Sequence, residues 1–595
     1  MSLGEVSRSE SIGLDWVSAS DLRNWCEGEP ALDWLNLYGK ANGYVKDSER
    51  PDYRPETDMS VFIREKGQAF EAAVLELISQ KITVESAYQR EGEAERRQDE
   101  AYERTLELMQ AGVDAIYQPV VRNHELALWG KPDLLIRSDR LDLLIENPPL
   151  GAHEAAIGAP AIGHRDFHYV VVDIKFKAFT LAARGGLGAG TLTKQVQVAV
   201  YGSALGEMQG YMPPKAFLLG RCVDEHNGKG ENRSCFGRLA PVDVAAVLPK
   251  VLEAAEWARR VRREGHAWDI ANTTIPEMQL NLSNAQDSPW HLAKKELAAK
   301  LKPLTALWQV SPTKAAPLFE AGVYRWDHPS LSADRFTALA EGYREKLGHI
   351  LAAQRPGFTT TPPHQVDADV EVWGQPKGVE FYVDFETVSD LDDPFDSLPE
   401  KGGSPRIFMV GCGHIEDGEW RFSIFTADAM TDDEERRVLC EWLEHMEAVR
   451  RRLAPEVERP LVFHWSHAEN SFLTTAYNSA VNRLSGDWPE VHWYDLLTKV
   501  VKAQPFVANG AMAFGLKAVA KAMYALGLIS TKWEDGPLDG LAAMVGAWSC
   551  AAEALRRGVG MTKVPLMREI AAYNEVDCKV MWEILSYLRG TGGTS

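Results

Sequence analysis

Two short stretches hold the residue types that metal-assisted hydrolysis needs. In "EFYVDFETVSD", beginning at Glu380, the residues Phe381, Val383 and Phe385 alternate with Tyr382, Asp384 and Glu386. Strand side chains alternate with period two, so Asp384 and Glu386 share one face, about 7 Å apart along the backbone, opposite an apolar face. Like charges so placed repel, and burial penalises both; divalent cations offset that repulsion. In "YVVVDIKFK", Asp173 and Lys175 share a face opposite Val172, Ile174 and Phe176, and "GKPDLLIR" places Asp133 at the start of another apolar strand. This set suits phosphodiester hydrolysis assisted by a hard cation, Mg²⁺ or Mn²⁺. The lysine would position the attacking water or stabilise developing charge. For Asp-x-Lys alone, a structural ion pair on a half-exposed strand is the competing interpretation.

The elements that must position these residues come from an ordinary globular composition. The 595 residues are 45% hydrophobic and 25% charged, which suggests roughly three or four domains with ample core. No apolar run reaches transmembrane length, and "MSLGEVSRSESIGLDW" lacks the basic-then-apolar order of a signal peptide. The seven cysteines are scattered, which argues against a disulfide framework. The expectation is a cytoplasmic protein without a membrane partner. A net charge of −21 disfavours diffuse binding to a polyanion, yet clustered carboxylates are what a metal centre requires. "RRVRREG" (259–265) is either a local phosphate contact or a solvated helix face. "RGGLGAGT" is a Gly-rich loop without the Gly-Lys-Ser/Thr ending of a phosphate-binding loop, which argues against an ATPase.

The patterning predicts an α/β multidomain chain. Residues 1–270 mix a helix at "EKGQAFEAAVLELI" with strands at "KPDLLIR" and "HYVVVDIKFKAF". Residues 271–355 form a helical connector, in which "LTALWQVSPTKAAPLFEAGVYRWDHP" contains two short apolar helices around a turn. Residues 356–377, rich in Pro, Thr and Gly, are expected to be a linker. Residues 378–595 alternate strands ("RIFMVGCGHI", "WRFSIFTA", "PLVFHWS") with helices and form a domain with a mixed sheet.

Four features in order resemble the RecB-like branch of the PD-(D/E)xK nucleases: "SASDLRNWCEGEPALDWL" near the start, "GQAFEAAV" with Glu71, the Asp133 and Asp173-x-Lys175 strands, and "QVAVY" with Gln197 and Tyr201. The resemblance implies a restriction-endonuclease-like domain. Glu71, Asp133 and Asp173 would bind metal, Lys175 would activate water, and Gln197 and Tyr201 would support the substrate or the site. Some members carry an iron–sulfur cluster, but only Cys26, Cys222 and Cys235 fall in this region, so free thiols are expected.

The Asp-x-Glu strand resembles the opening of RNase H-like exonucleases of the DEDD type, which use four acids and two metal ions about 4 Å apart. "YNEVDCKVMWEIL" matches the Tyr-x3-Asp motif of the DEDDy subgroup, which implies metal binding by Asp577 and water orientation by Tyr573. In "LVFHWSHAENSFL" Glu469 stands where that family usually has Asp, flanked by His464 and His467 as packing or hydrogen-bonding residues. Asp495 in "VHWYDLLTKV" is the reserve fourth acid, and Lys517 in "AFGLKAVAKAM" either meets phosphate or is a solvated helix lysine. The connector resembles a helix-hairpin-helix element, with Pro312 where glycine is usual. Together these resemblances imply a metal-dependent nuclease acting on nucleic acid, DNA before RNA, in repair, recombination or defence against foreign DNA. Its second centre would degrade from 3′ ends, and a helicase acting in trans would be a partner. The alternative is a non-cleaving scaffold that positions a strand for such a partner, and Glu469 is the departure that favours it.

Overall fold

The computed structural model describes residues 15–88, 98–228, 232–484, 486, 488–533 and 539–590, apart from the side chains of 189 and 467–472. It is a mixed α/β chain built around two large mixed sheets. Among the described residues no helix is long and apolar enough to cross a membrane.

The first large sheet has six strands: β1 (Val84–Ser86), β2 (Ala115–Tyr117), β3 (Leu134–Arg137), β4 (Tyr169–Ile174), β5 (Lys215–Leu219) and β6 (Ala240–Asp243), side by side in that order. β1 pairs parallel with β2 and β4 with β5, and the other pairs are antiparallel. Every residue of β4 is buried, which explains why "YVVVDI" is almost wholly apolar. Three long helices cover the sheet: α1 (Met59–Ser79), α2 (Leu192–Gln209) and α3 (Val244–Glu264). α1 buries Phe70, Val74 and Ile78 at four-residue intervals, the stripe an amphipathic helix presents to a core. It packs with Val170, Val172 and Ile174 on one face of the sheet, while α2 and α3 pack with Tyr169, Val171 and Leu135 on the other.

The second sheet has five strands: β7 (Phe381–Val388), β8 (Arg406–Glu416), β9 (Glu419–Thr426), β10 (Val462–His464) and β11 (Trp493–Asp495), in the spatial order β9-β8-β7-β10-β11. β7, β8 and β9 are antiparallel neighbours, whereas β10 and β11 run parallel to β7. Among the described residues five α-helices follow β7 in this half: α4 (Asp432–Leu453), α5 (His467–Leu484), α6 (Leu516–Ala525), α7 (Gly540–Arg557) and α8 (Pro565–Leu588). Phe381, Val383 and Phe385 pack with α4 and α7 on one face. Tyr382 and Phe463 pack with α6 and α8 on the other.

The connector divides between the two halves. Trp290, Ala293 and Leu297 pack with Trp34 and Trp257 of the N-terminal half, whereas Leu304, Leu318, Leu347 and Ile350 join the core beneath α8. Of the two helices expected in the hairpin-like element, the first is a single turn, Leu304–Ala306, set after Pro303. Pro312 opens the second, Pro312–Glu320, where its missing N–H costs nothing because the first helical N–H has no partner within the helix, and Ser311 caps that end by accepting from Lys314 N. The stretch expected as a linker is packed rather than free. Val366 and Trp373 are buried, and Gln504 accepts the backbone N–H groups of Asp367 and Ala368. Its Pro and Thr content reflects irregular backbone, not a lack of buried side chains.

The two halves also meet directly. The loop from β7 to β8 crosses to the N-terminal half, where Phe395 packs against Phe70 and Phe176. Arg221, 2% exposed, pairs there with Asp393, 1% exposed. Elsewhere Phe62 of α1 stacks on Trp548 of α7 with ring centroids 4.3 Å apart.

Candidate metal centres

The carboxylate oxygens of Asp384, Glu386 and Asp577 lie within 4.8 Å of one another. Two come from β7 and one from α8, and the local sequence explains how they meet. β7 alternates as its pattern requires, so both acids face α8. α8 starts with Pro565 at its first position and buries Ile570, Asn574, Asp577, Cys578 and Met581 along one stripe. Its far end is fixed by Arg589, which forks onto the Glu380 carboxylate at 2.8 and 2.9 Å. At the centre itself, the Asn574 amide donates to Asp384 Oδ2 at 2.9 Å and the Trp533 indole N–H donates to Asp577 Oδ1 at 3.1 Å. Trp533 is carried by a loop whose Ser530 and Thr531 donate four hydrogen bonds to the buried Glu583 carboxylate of α8.

Two more predicted residues join this cluster. Tyr573 lies one turn before Asp577, and burial followed by the carboxylates of Asp577, Glu386 and Asp384 holds its phenol well above the usual tyrosine range. Lys517 is not a solvated helix lysine. Its Nζ sits 4.6 Å from the centroid of the Tyr573 ring. Burial holds it below the usual lysine range, against the opposing pull of Asp577, Asp539 and Glu386. At this spacing an ionised pair of carboxylates repels by about 3 kcal/mol at an effective dielectric of 20. An all-oxygen donor set is the kind a hard divalent cation takes.

Asp495 and His464 do not join this cluster, and Glu469 is not among the described side chains, though its helix α5 is placed directly after β10. Ser466 at that junction has φ 124°, a left-handed value rare for serine. Asp495, the reserve acid, is committed elsewhere: its carboxylate accepts from the N–H groups of Ser466, Leu497 and Thr498 and from the Thr498 hydroxyl. A short Asp at a strand end caps the turn that follows it. His464 is buried on the opposite face of the sheet, against Trp493.

The second group is in the N-terminal half. Asp173 and Lys175 share the face of β4 that α2 covers, with Lys175 Nζ 2.5 Å from Asp173 Oδ2 and 3.9 Å from Asp133 Oδ2. Asp133 also accepts the Ile174 N–H at 2.6 Å. Burial, then Asp173, raises the Asp133 carboxyl well above the usual carboxylate range, against Lys175. Burial would lower the Lys175 ammonium, but Asp173 and Asp133 outweigh it and raise it. Glu71 reaches from α1 and accepts the Tyr117 hydroxyl at 2.9 Å. Gln197 donates to the Tyr201 hydroxyl at 2.9 Å. The Tyr201 ring occupies the space above Gly130, where any Cβ would lie 2.1 Å from it. All six residues assigned from sequence therefore surround one region. Their carboxylates do not converge as closely as the C-terminal trio, which among the described residues is the group meeting within 4.8 Å.

Several contributors escaped the sequence reading. Asn574 had a signal, since it lies three residues before Asp577 and so on the same stripe of a helix. Tyr117, Gln118 (which donates to the Tyr117 hydroxyl at 3.0 Å), Asp539 and Trp533 had none, because each reaches its centre only through tertiary folding. The basic run 259–265 proves structural: Arg259 donates to the carbonyls of Asp15, Leu126 and Ala127, and Arg262 to Trp16 O and Asp21. All seven cysteines are free.

No protein-family model matches the chain, and comparison with curated proteins and with solved structures gives no match.

Proposed function

We propose that this protein is a metal-dependent nuclease that hydrolyses phosphodiester bonds, with DNA favoured over RNA, and that its C-terminal centre carries the activity most directly. The convergence of Asp384, Glu386 and Asp577 within 4.8 Å, flanked by Tyr573 and Lys517, is the observation that carries the reading. The order β9-β8-β7-β10-β11, with both strand acids on central β7, supports an RNase H-like site of the DEDD type. The grouping of Glu71, Asp133, Asp173, Lys175, Gln197 and Tyr201 supports a second, RecB-like PD-(D/E)xK centre.

Asp384, Glu386 and Asp577 would hold Mg²⁺ or Mn²⁺, since three carboxylate donors suit hard cations. Such an ion, when bound, polarises a phosphoryl oxygen and makes water a better nucleophile. The protein's own groups do the rest. Asn574 and Trp533 fix the orientation of two carboxylates. Tyr573 keeps its proton at neutral pH and so acts as a hydrogen-bond donor toward water or a phosphate oxygen. In the N-terminal centre the raised Lys175 stays charged, which suits it to stabilise developing negative charge and not to accept a proton.

The test is incubation of the purified protein with end-labelled single- and double-stranded DNA and RNA, with Mg²⁺ or Mn²⁺. Asp384→Ala and Asp173→Ala should each abolish one cutting activity. Cutting that survives both changes would overturn the site assignment. A wild-type protein that binds strands without cutting them would favour the scaffold reading.

A further inference from the structure

We propose that Arg23, Lys177 and Lys194 form a binding site for the phosphodiester backbone of a nucleic-acid strand, beside the Asp133–Asp173–Lys175 group. This rests on reading that group as a nuclease centre, and it identifies where a chain of net charge −21 would take hold of a polyanion.

The three cations come from three segments that the fold brings together. Lys177 lies two residues beyond Lys175 in a fixed backbone, its N–H donating to Lys175 O at 2.6 Å and its carbonyl accepting from Arg221 N at 2.9 Å. Lys194 lies in the first turn of α2, three residues before Gln197. Arg23 opens the short helix Arg23–Cys26, which packs on α2, and the Thr193 hydroxyl donates across that contact to Glu27 at 2.7 Å.

Among the described residues none of the three makes an ion pair or a side-chain hydrogen bond. Arg23 is exposed and Lys177 and Lys194 are half-buried, which separates them from the paired, buried cations of the chain. Arg221 is committed to Asp393, Lys294 to Glu29 and Asp287, and Arg259 and Arg262 to backbone carbonyls. Burial and then Lys177 hold the Lys194 ammonium below the usual lysine range; Glu27 opposes this, and Lys175 and Arg23 add to it. Lys194 is half-buried beneath the contact of α2 with the Arg23 helix, where Lys177 and Arg23 are its uncompensated like-charged neighbours, Lys175 being paired with Asp173 and Asp133. Holding like charges together costs free energy that an anion with several acceptor oxygens would offset.

Two features of the backbone favour the same ligand. Gly185, Gly186, Gly188 and Gly190, in the loop leading to α2, have open space where a side chain would stand, so a strand can approach the main chain. Thr191 offers α2 no side-chain cap; its hydroxyl donates to Gly188 O and accepts the Gln195 side-chain amide at 3.0 Å. The helix therefore presents the positive end of its dipole on the same side.

The test measures binding, not cutting. The full-length protein is titrated with a fluorescein-labelled oligonucleotide, single- or double-stranded, with Ca²⁺ replacing Mg²⁺, over a range of NaCl concentrations. Wild type should bind with an affinity that falls steeply with salt. Replacing Arg23, Lys177 and Lys194 together by Gln should weaken binding at least about tenfold and flatten the log–log salt slope by about 2, at roughly 0.7 per phosphate contact for a single strand. The control Lys300→Gln, on an exposed face of a connector helix, should leave both unchanged. Thermal unfolding verifies the fold, and the single exchange Lys194→Gln gives the same direction where the triple variant is unstable. Wild-type affinity and slope in the triple variant, with Mg²⁺-dependent cutting retained by the wild type, would overturn this site and leave the nuclease reading standing. A wild type that neither binds nor cuts would overturn both.

Discussion

Asn574 donates its side-chain amide to Asp384 across the gap between α8 and β7, at 2.9 Å, and is itself wholly buried. The bond fixes which way one oxygen of the carboxylate faces. Partners of this kind typically account for a 10–100-fold change in metal affinity. Asn574→Ala should therefore weaken Mn²⁺ binding by about 10–100-fold, read by calorimetric titration, with nucleolytic rate falling in parallel. Unchanged Mn²⁺ affinity would mean that Asp384 is oriented by something else.

The same contact depends on a missing side chain. Gly411 is the cross-strand partner of Asp384, and a Cβ placed there would lie 1.8 Å from Asn574 Oδ1. Since β8 is a central strand, α8 would have to move. Gly411→Ala should destabilise the fold by about 1–3 kcal/mol, as overpacking does, and should also weaken Mn²⁺ binding. Gly413→Ala makes the comparison. Its Cβ would meet the Trp420 ring at 2.0 Å, beside Tyr382 and not beside the acids. It should lower the melting temperature and leave metal affinity intact.

Period-two spacing put Asp384 and Glu386 on one face of a strand, and helical spacing put Tyr573 and Asp577 one turn apart, because each pair lies in an element whose other face is strongly apolar; that the two surfaces belong together was implied only by the resemblance to DEDD exonucleases. The period-two rule likewise put Asp173 and Lys175 on one face, and the fold adds that α2 covers it. What spacing could not convey was long-range. The loop after β7 carries Asp390 and Asp393, which are the counter-charges of Arg221, some 170 residues earlier in the chain. Asp495 looked like a candidate ligand because an Asp ending a strand looks the same whether it serves a metal or the next turn. Trp533 had no signal at all. It reaches Asp577 only because Glu583 anchors its loop.

Arg221 ties the loop between β7 and β8 to the N-terminal half. Its guanidinium donates to Asp390 O, Gly402 O and Asp393, and it lies 4.8 Å from the centroid of the Phe176 ring, one residue after Lys175. Removing one partner of a buried pair leaves the other charge uncompensated, at a cost of about 3–5 kcal/mol. Arg221→Ala should lose that much stability and expose the 389–405 loop to limited proteolysis. Lys66→Ala breaks the more exposed pair with Asp392 and should cost less than about 1 kcal/mol. Equal protease resistance in both variants would show that the loop is held by Phe395 and not by Arg221.

His464 sets an acid limit on the C-terminal half. The residue is 1% exposed, and burial takes its imidazole from 6.5 down to about 4, with the neighbouring Asp495 pulling the other way. The sign follows from the two states. Between pH 6.5 and about 4 the unfolded chain binds a proton on this ring and the folded chain does not. Stability from this group is therefore complete above 6.5 and is lost as pH falls through that window, by about 2 kcal/mol at pH 5. His464→Phe keeps an aromatic ring against Trp493 and removes the titration. Denaturant unfolding between pH 7.5 and 4.5 should show a steeper loss for wild type than for the variant, by close to one proton. Parallel curves would mean that the ring is protonated in the folded protein, with Asp495 as its counter-ion.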